Sequence, residues 1–159
     1  KCQSVFSFLP GIVIWILMQD IIKTIDYYSI YLTGFVNYNE DFILKMEKSN
    51  ITVREISAFY KKIYEQDFEI MIKLLQWVNN AKKDKNSPLS DENKEDLGVI
   101  YGDIKYIIKE YIEFIKSNFR TLIEDTDIVR EKFYIIKGKL IDCINRLNSI
   151  KLAPSFAQK

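Results

Sequence analysis

The chain has 159 residues, a formal net charge of +1 and no histidine. Without histidine there is no His general base, no Ser–His or Cys–His nucleophile and no His-ligated zinc or haem, so only carboxylate, lysine, tyrosine or thiol chemistry is left. The apolar fraction is 48%, with tyrosine and phenylalanine at 10 each; this suits a packed core, and the balanced charge gives no electrostatic case for nucleic acid.

Isoleucine, lysine, asparagine, tyrosine and phenylalanine dominate, while alanine, arginine, glycine and proline are scarce. That bias follows AT-rich codons and points to an AT-rich genome, such as that of a low-GC bacterium, a protozoan parasite or a large DNA virus. The chain opens on Lys1 without an initiator methionine. The expectation is a processed, secreted product or an excised domain, with a cytoplasmic location still open. Cys2 and Cys143 lie near opposite ends. A disulfide between them would close a very long loop, and two cysteines fit a reducing compartment equally well.

Strand-like alternation and Asn-Gly hairpin signals do not recur, so the chain reads as all-α. The expected architecture is a single domain over residues 1–159: an antiparallel bundle of four long helices plus one short accessory helix. Phe6 to Met18 is almost wholly apolar but shorter than the ~20 residues of a bilayer span; a helix buried on most faces is expected there. The first helix should run from Gly11 to Leu32, with Pro10 in its first turn and Gly34 as its stop. The apolar connector Phe35-Val36-Asn37-Tyr38 then leads, with Asn39 as cap, into a short helix from Glu40 to Lys48.

Thr52-Val53-Arg54-Glu55 has the form of a capping box. It starts a second long helix that runs to about Lys82 and carries two apolar seams. One is Tyr60, Tyr64, Phe68, Met71, Leu75 and Val78; the other is Ile56, Phe59, Ile63, Ile70, Leu74 and Trp77. Residues 82–91, polar and broken by Pro88, form the clearest loop and the expected site of proteolytic nicking. Ser90 can cap a third helix with Asp91 and Glu92 in its first turn. Its seam is Leu97, Tyr101, Ile104, Ile108, Tyr111, Ile115, Asn118 and Leu122. After a break near Asp125 to Asp127 the fourth helix carries Val129, Phe133, Ile136, Leu140, Cys143, Leu147 and Ile150, and Pro154 stops it. Two heptad seams imply near-parallel packing at about 20°.

Most candidate sites have a plain structural explanation. Asp67, Asp103, Glu110 and Glu113 lack the spacing of a metal loop or a diiron motif and read as solvated faces with core-edge ion pairs. Cys143 occupies a heptad core position, where a thiol is inert. Gly98 and Gly102 have G-x-x-x-G spacing without a membrane context. They imply a close helix crossing or a helix that starts nearer Asp103. Asn50-Ile51-Thr52 matches a glycosylation sequon, but Thr52 already has a capping role. Tyr60-to-Ile63 and Tyr101-to-Ile104 spacings arise from helix seams alone.

The aromatic group Tyr27, Tyr28, Tyr31, Phe35 and Tyr38 is the best candidate for protein binding, because aromatic side chains bury much area with few rotors. The alternative is that it plugs the end of the bundle. The functional expectation is a non-enzymatic helical interaction domain with no cofactor and no metal. Its partner would be another protein: a host factor bound by a pathogen or viral protein, a toxin to be neutralised, or a second copy in a homo-oligomer. The competing expectation is a membrane-active or apolar-ligand-binding bundle that uses Gly11 to Met18, although a membrane is not favoured.

Overall fold

In the computed structural model the described residues are 2–48, 51–117, 120 and 124–152, with side chains described over 11–151 of those ranges. Among the described residues the α-helices are α1 (Cys2–Glu47), α2 (Val53–Lys62), α3 (Phe68–Lys83), α4 (Asp91–Lys116) and α5 (Thr126–Leu152). A single π turn, Ile63–Asp67, joins α2 to α3 without interruption. Four long rods result, and each packs antiparallel to its neighbours. Lys151 pairs with Asp26 and Lys137 with Glu40 between α5 and α1. Arg146–Asp96, Lys139–Asp103 and Lys132–Glu110 run the same way between α5 and α4. Tyr28–Trp77 and Phe42–Phe59 ring contacts align α1 with α3 and α2. The all-α bundle is therefore as expected, but the accessory helix is not a separate element.

α1 continues through the expected stop at Gly34 and through the expected connector. A glycine inside a helix costs only about 1 kcal/mol. The apolar seam carries on across it: Ile25, Tyr28, Leu32, Phe35, Val36, Phe42, Ile43 and Met46 are all buried. Asn39 is buried in that seam and caps nothing. Its side-chain amide donates to the Phe35 carbonyl at 2.7 Å, and its Oδ1 accepts from the Tyr111 hydroxyl at 3.1 Å. With both groups satisfied, a polar residue at this depth is tolerated and ties α1 to α4.

The α2 start is the expected capping box. Glu55 N–H donates to Thr52 Oγ1 at 3.2 Å, and Thr52 N–H donates to Glu55 Oε2 at 3.1 Å. The two seams foreseen for this helix are one seam in two registers. Ile56, Phe59 and Ile63 are buried before the π turn, and Met71, Leu74 and Val78 after it. At the π turn the Phe68 N–H donates to the Ile63 carbonyl, five residues back. The extra residue rotates the helix so that one face stays inward. Tyr64, expected in a seam, is displaced to the surface.

Ser90 caps α4 by accepting from the Asn93 N–H at 3.1 Å. The buried face of α4 is Leu97, Ile100, Ile104, Ile107, Tyr111 and Phe114. The expected Tyr101, Ile108 and Ile115 pack beside it at the core margin; Asn118 and Leu122 lie outside the described residues. On α5 every expected seam residue, Val129 through Ile150, is buried. Phe42, Phe59, Phe114 and Phe133 close one end of the core, with ring centroids 4.1 to 5.4 Å apart. Between α3 and α4 the expected loop holds an Asp84 turn, and its Leu89 is buried.

Candidate functional site

Two surface features stand out, and α1 supplies most of both. The first lies beyond the end of the bundle. The Lys151–Asp26 pair and the Tyr28–Trp77 contact mark where α5 and α3 accompany α1, and these two helices end at Leu152 and Lys83. α1 runs on past them. Ile12, Val13, Trp15, Ile16 and Leu17 are all exposed, Trp15 at 63% and Ile16 at 54%. Residues 11–17 rise about 10 Å at 1.5 Å per residue. Over residues 11–17 the expected burial on most faces is thus not found; among the described residues of α1, Met18 is the first that is buried. The side chains of Phe6 to Pro10 lie outside the described residues.

The second feature is the α1 face that meets the π turn. The aromatic group divides here. Tyr28 and Phe35 are core residues, whereas Tyr27 and Tyr31 are partly exposed, with ring centroids 4.8 Å apart. Tyr38 stacks on Phe59 at 5.1 Å. Burial raises the phenols of Tyr28 and Tyr38 above the ordinary tyrosine range. The group is therefore split: Tyr28 and Phe35 pack into the core, whereas Tyr27 and Tyr31 face outward.

Tyr31, Phe35 and Tyr38 line a cleft of about 380 Å³ together with Gly34, Asp41, Lys62, Gln66 and Asp67. Asp67 is only 3% exposed, and its Oδ1 accepts from Lys62 Nζ at 3.3 Å. The Lys62 ammonium also lies 4.0 Å from the Tyr38 ring centroid and 5.3 Å from that of Phe35. Burial lifts the Asp67 carboxyl above its ordinary range, and the Lys62 charge acts against that rise. In a regular α-helix residues five apart lie about 140° apart around the axis. Only the π turn brings Lys62 and Asp67 onto one face, so sequence spacing hid this pair. The lone signal was an aspartate next to an apolar seam.

The remaining candidates have structural roles. Cys143 is a free, buried thiol. Burial, with Asp103 nearby, pushes its pKa well above the usual thiol range, which disables it as a nucleophile. The side chain of Cys2 lies outside the described residues. Asp103 and Glu110 sit in the α4–α5 ion pairs, at 3.2 Å from Lys139 and 3.3 Å from Lys132. α4 begins at Asp91, so Gly98 and Gly102 are both inside it. A Cβ at Gly98 would meet only the flexible end of Lys82, at 3.1 Å, and one at Gly102 would meet nothing within 4 Å; neither marks a backbone crossing. Thr52 of the sequon serves the α2 cap, and Asn50 lies outside the described residues.

Among the described residues, no cluster of three or more Cys, Asp or Glu side chains forms a metal site. No helix among them is long and apolar enough to cross a membrane. Comparison with known proteins finds no matching family model, no matching curated protein and no matching solved structure.

Proposed function

We propose that the chain is a non-enzymatic helical interaction module, and that the projecting end of α1 docks on another protein. One observation carries this reading: Ile12, Val13, Trp15, Ile16 and Leu17 stand exposed in one short helical stretch. Contiguous apolar surface of this kind is costly in water and marks interaction sites. Tryptophan is also among the residues that dominate binding energy. The rest of the molecule acts as a rigid base that holds the segment away from the bundle.

The test is affinity capture from cells of the source organism or its host, with wild-type chain beside a Trp15→Ser/Ile16→Ser double variant. A stoichiometric partner should be retained by the wild type and lost by the variant. The two chains should melt alike, since both residues lie outside the core. Equal retention by both would contradict the reading. The competing reading is insertion of the same segment into a lipid interface. Vesicle flotation separates the two: co-migration with lipid that requires Trp15 would replace a protein partner with a membrane.

A further inference from the structure

The cleft between α1 and the π turn already holds a cation. The ammonium of Lys62 sits over the Tyr38 ring at 4.0 Å, near Phe35 at 5.3 Å, and against the Asp67 carboxylate at 3.3 Å. Aromatic faces joined to a carboxylate are the arrangement by which proteins recognise alkylated ammonium groups. The cleft is larger than its resident side chain needs. It is an open cleft of about 380 Å³, within the volume range of small-ligand sites. The cleft is open at Gly34, where a Cβ would meet nothing within 4 Å. The partly exposed Tyr31 supplies a further ring at the mouth. The charged lining residues are Asp41 and Asp67 against Lys62, a net charge of minus one, which disfavours an anion and favours a cation. Lys62 keeps about a quarter of its side chain exposed, so its flexible stem can swing out to water.

We propose that this cleft binds a small organic cation of the alkyl- or quaternary-ammonium class. The ligand displaces the Lys62 ammonium from the rings of Tyr38 and Phe35 and takes its charge partner Asp67, with Asp41 as a second carboxylate in the lining. The bound Lys62 is then an internal competitor that sets the affinity. This site is separate from the α1 projection, and either proposal can fail without the other.

Choline is the probe, titrated calorimetrically into the full chain beside its neutral analogue with carbon in place of the ammonium nitrogen. Choline should bind saturably, and the neutral analogue at least about tenfold more weakly, since only the cation gains the ring and carboxylate terms. Lys62→Ala should tighten choline binding several-fold by removing the competitor. Tyr38→Leu should weaken choline while leaving the analogue unchanged. Should that variant fail to fold, Asp41→Asn, at an exposed position, should weaken choline in the same selective way. The proposal is overturned if neither the wild type nor Lys62→Ala binds choline saturably. It is also overturned if the neutral analogue binds as well as choline, or if Lys62→Ala weakens choline binding.

Discussion

Among the described ion pairs, Lys62–Asp67 holds the most deeply buried carboxylate: 4% of the Asp67 side chain is exposed, against 27% for Lys62. Removing the cation and removing the anion should therefore have unequal consequences. Lys62→Met keeps the aliphatic stem but leaves a buried carboxylate without its partner, which costs about 3–5 kcal/mol. Asp67→Leu leaves an ammonium that can reach water, so its cost should stay near the ~1 kcal/mol of an exposed pair. The double variant replaces the pair with apolar contacts and should match or exceed wild-type stability, by up to about 4 kcal/mol. The pH dependence has a definite sign. Burial raises the Asp67 carboxyl in the folded state, so the folded chain holds that proton more tightly than the unfolded one. Stability linked to this group is greatest in acid and falls as pH rises through the window between the unfolded and folded values. Lys62→Met should steepen that fall, and Asp67→Leu should abolish it. Urea denaturation of the four chains, followed by circular dichroism at acidic and neutral pH, gives the full cycle. A Lys62→Met cost of no more than about 1 kcal/mol at neutral pH would instead mean that Asp67 is hydrated rather than buried.

Further expectations concern the other unusual positions. Deleting Glu65 should convert the π turn to regular helix and leave a cooperatively folded bundle, because the turn holds one residue more than the seam needs. Deleting Lys137 from the uninterrupted α5 should abolish cooperative melting, since it would bring Asn148 and Lys151 to the fully buried places of Leu147 and Ile150. Gly34→Ala should raise stability by up to about 1 kcal/mol in the same denaturation assay; a loss would show that the helix is strained there. Tyr111→Phe should cost about 1–3 kcal/mol by leaving the buried Asn39 Oδ1 without its donor. In a Cys2→Ser background, Cys143 should react with a thiol reagent only as fast as the chain unfolds; rapid native labelling would contradict its burial.

The sequence allowed the α5 seam to be read in full, because its neighbouring positions are mostly polar and only one face can turn inward. On α4 the choice was ambiguous: Ile100 and Tyr101, Ile107 and Ile108, and Phe114 and Ile115 are adjacent apolar pairs, so two heptad phases fit. The packing of α3 on one side and α5 on the other decides between them. On α2 and α3 the pattern looked like two seams because the π turn changes phase between Ile63 and Phe68. Gly34 reads as a helix stop because local propensity does not register the long-range burial of Phe35, Val36 and Phe42 that carries α1 across it. The exposed run from Ile12 to Leu17 was illegible for a similar reason. Apolar content predicts burial, and where each helix stands against the others, which decides the exposure of Ile12 to Leu17, is not written in local composition. The cleft went unseen because its central pair is joined by a turn that α-helical spacing does not contain.

Site-directed photocrosslinking tests whether the projecting segment of α1 docks on another protein. A photoreactive phenylalanine analogue is placed singly at Trp15, Ile16, Tyr64 and Ile128, all exposed apolar positions. After irradiation in source or host lysate, positions 15 and 16 should yield one shared adduct that positions 64 and 128 do not. Equal adducts from all four positions, or none from 15 and 16, would show that the α1 projection is not a docking element.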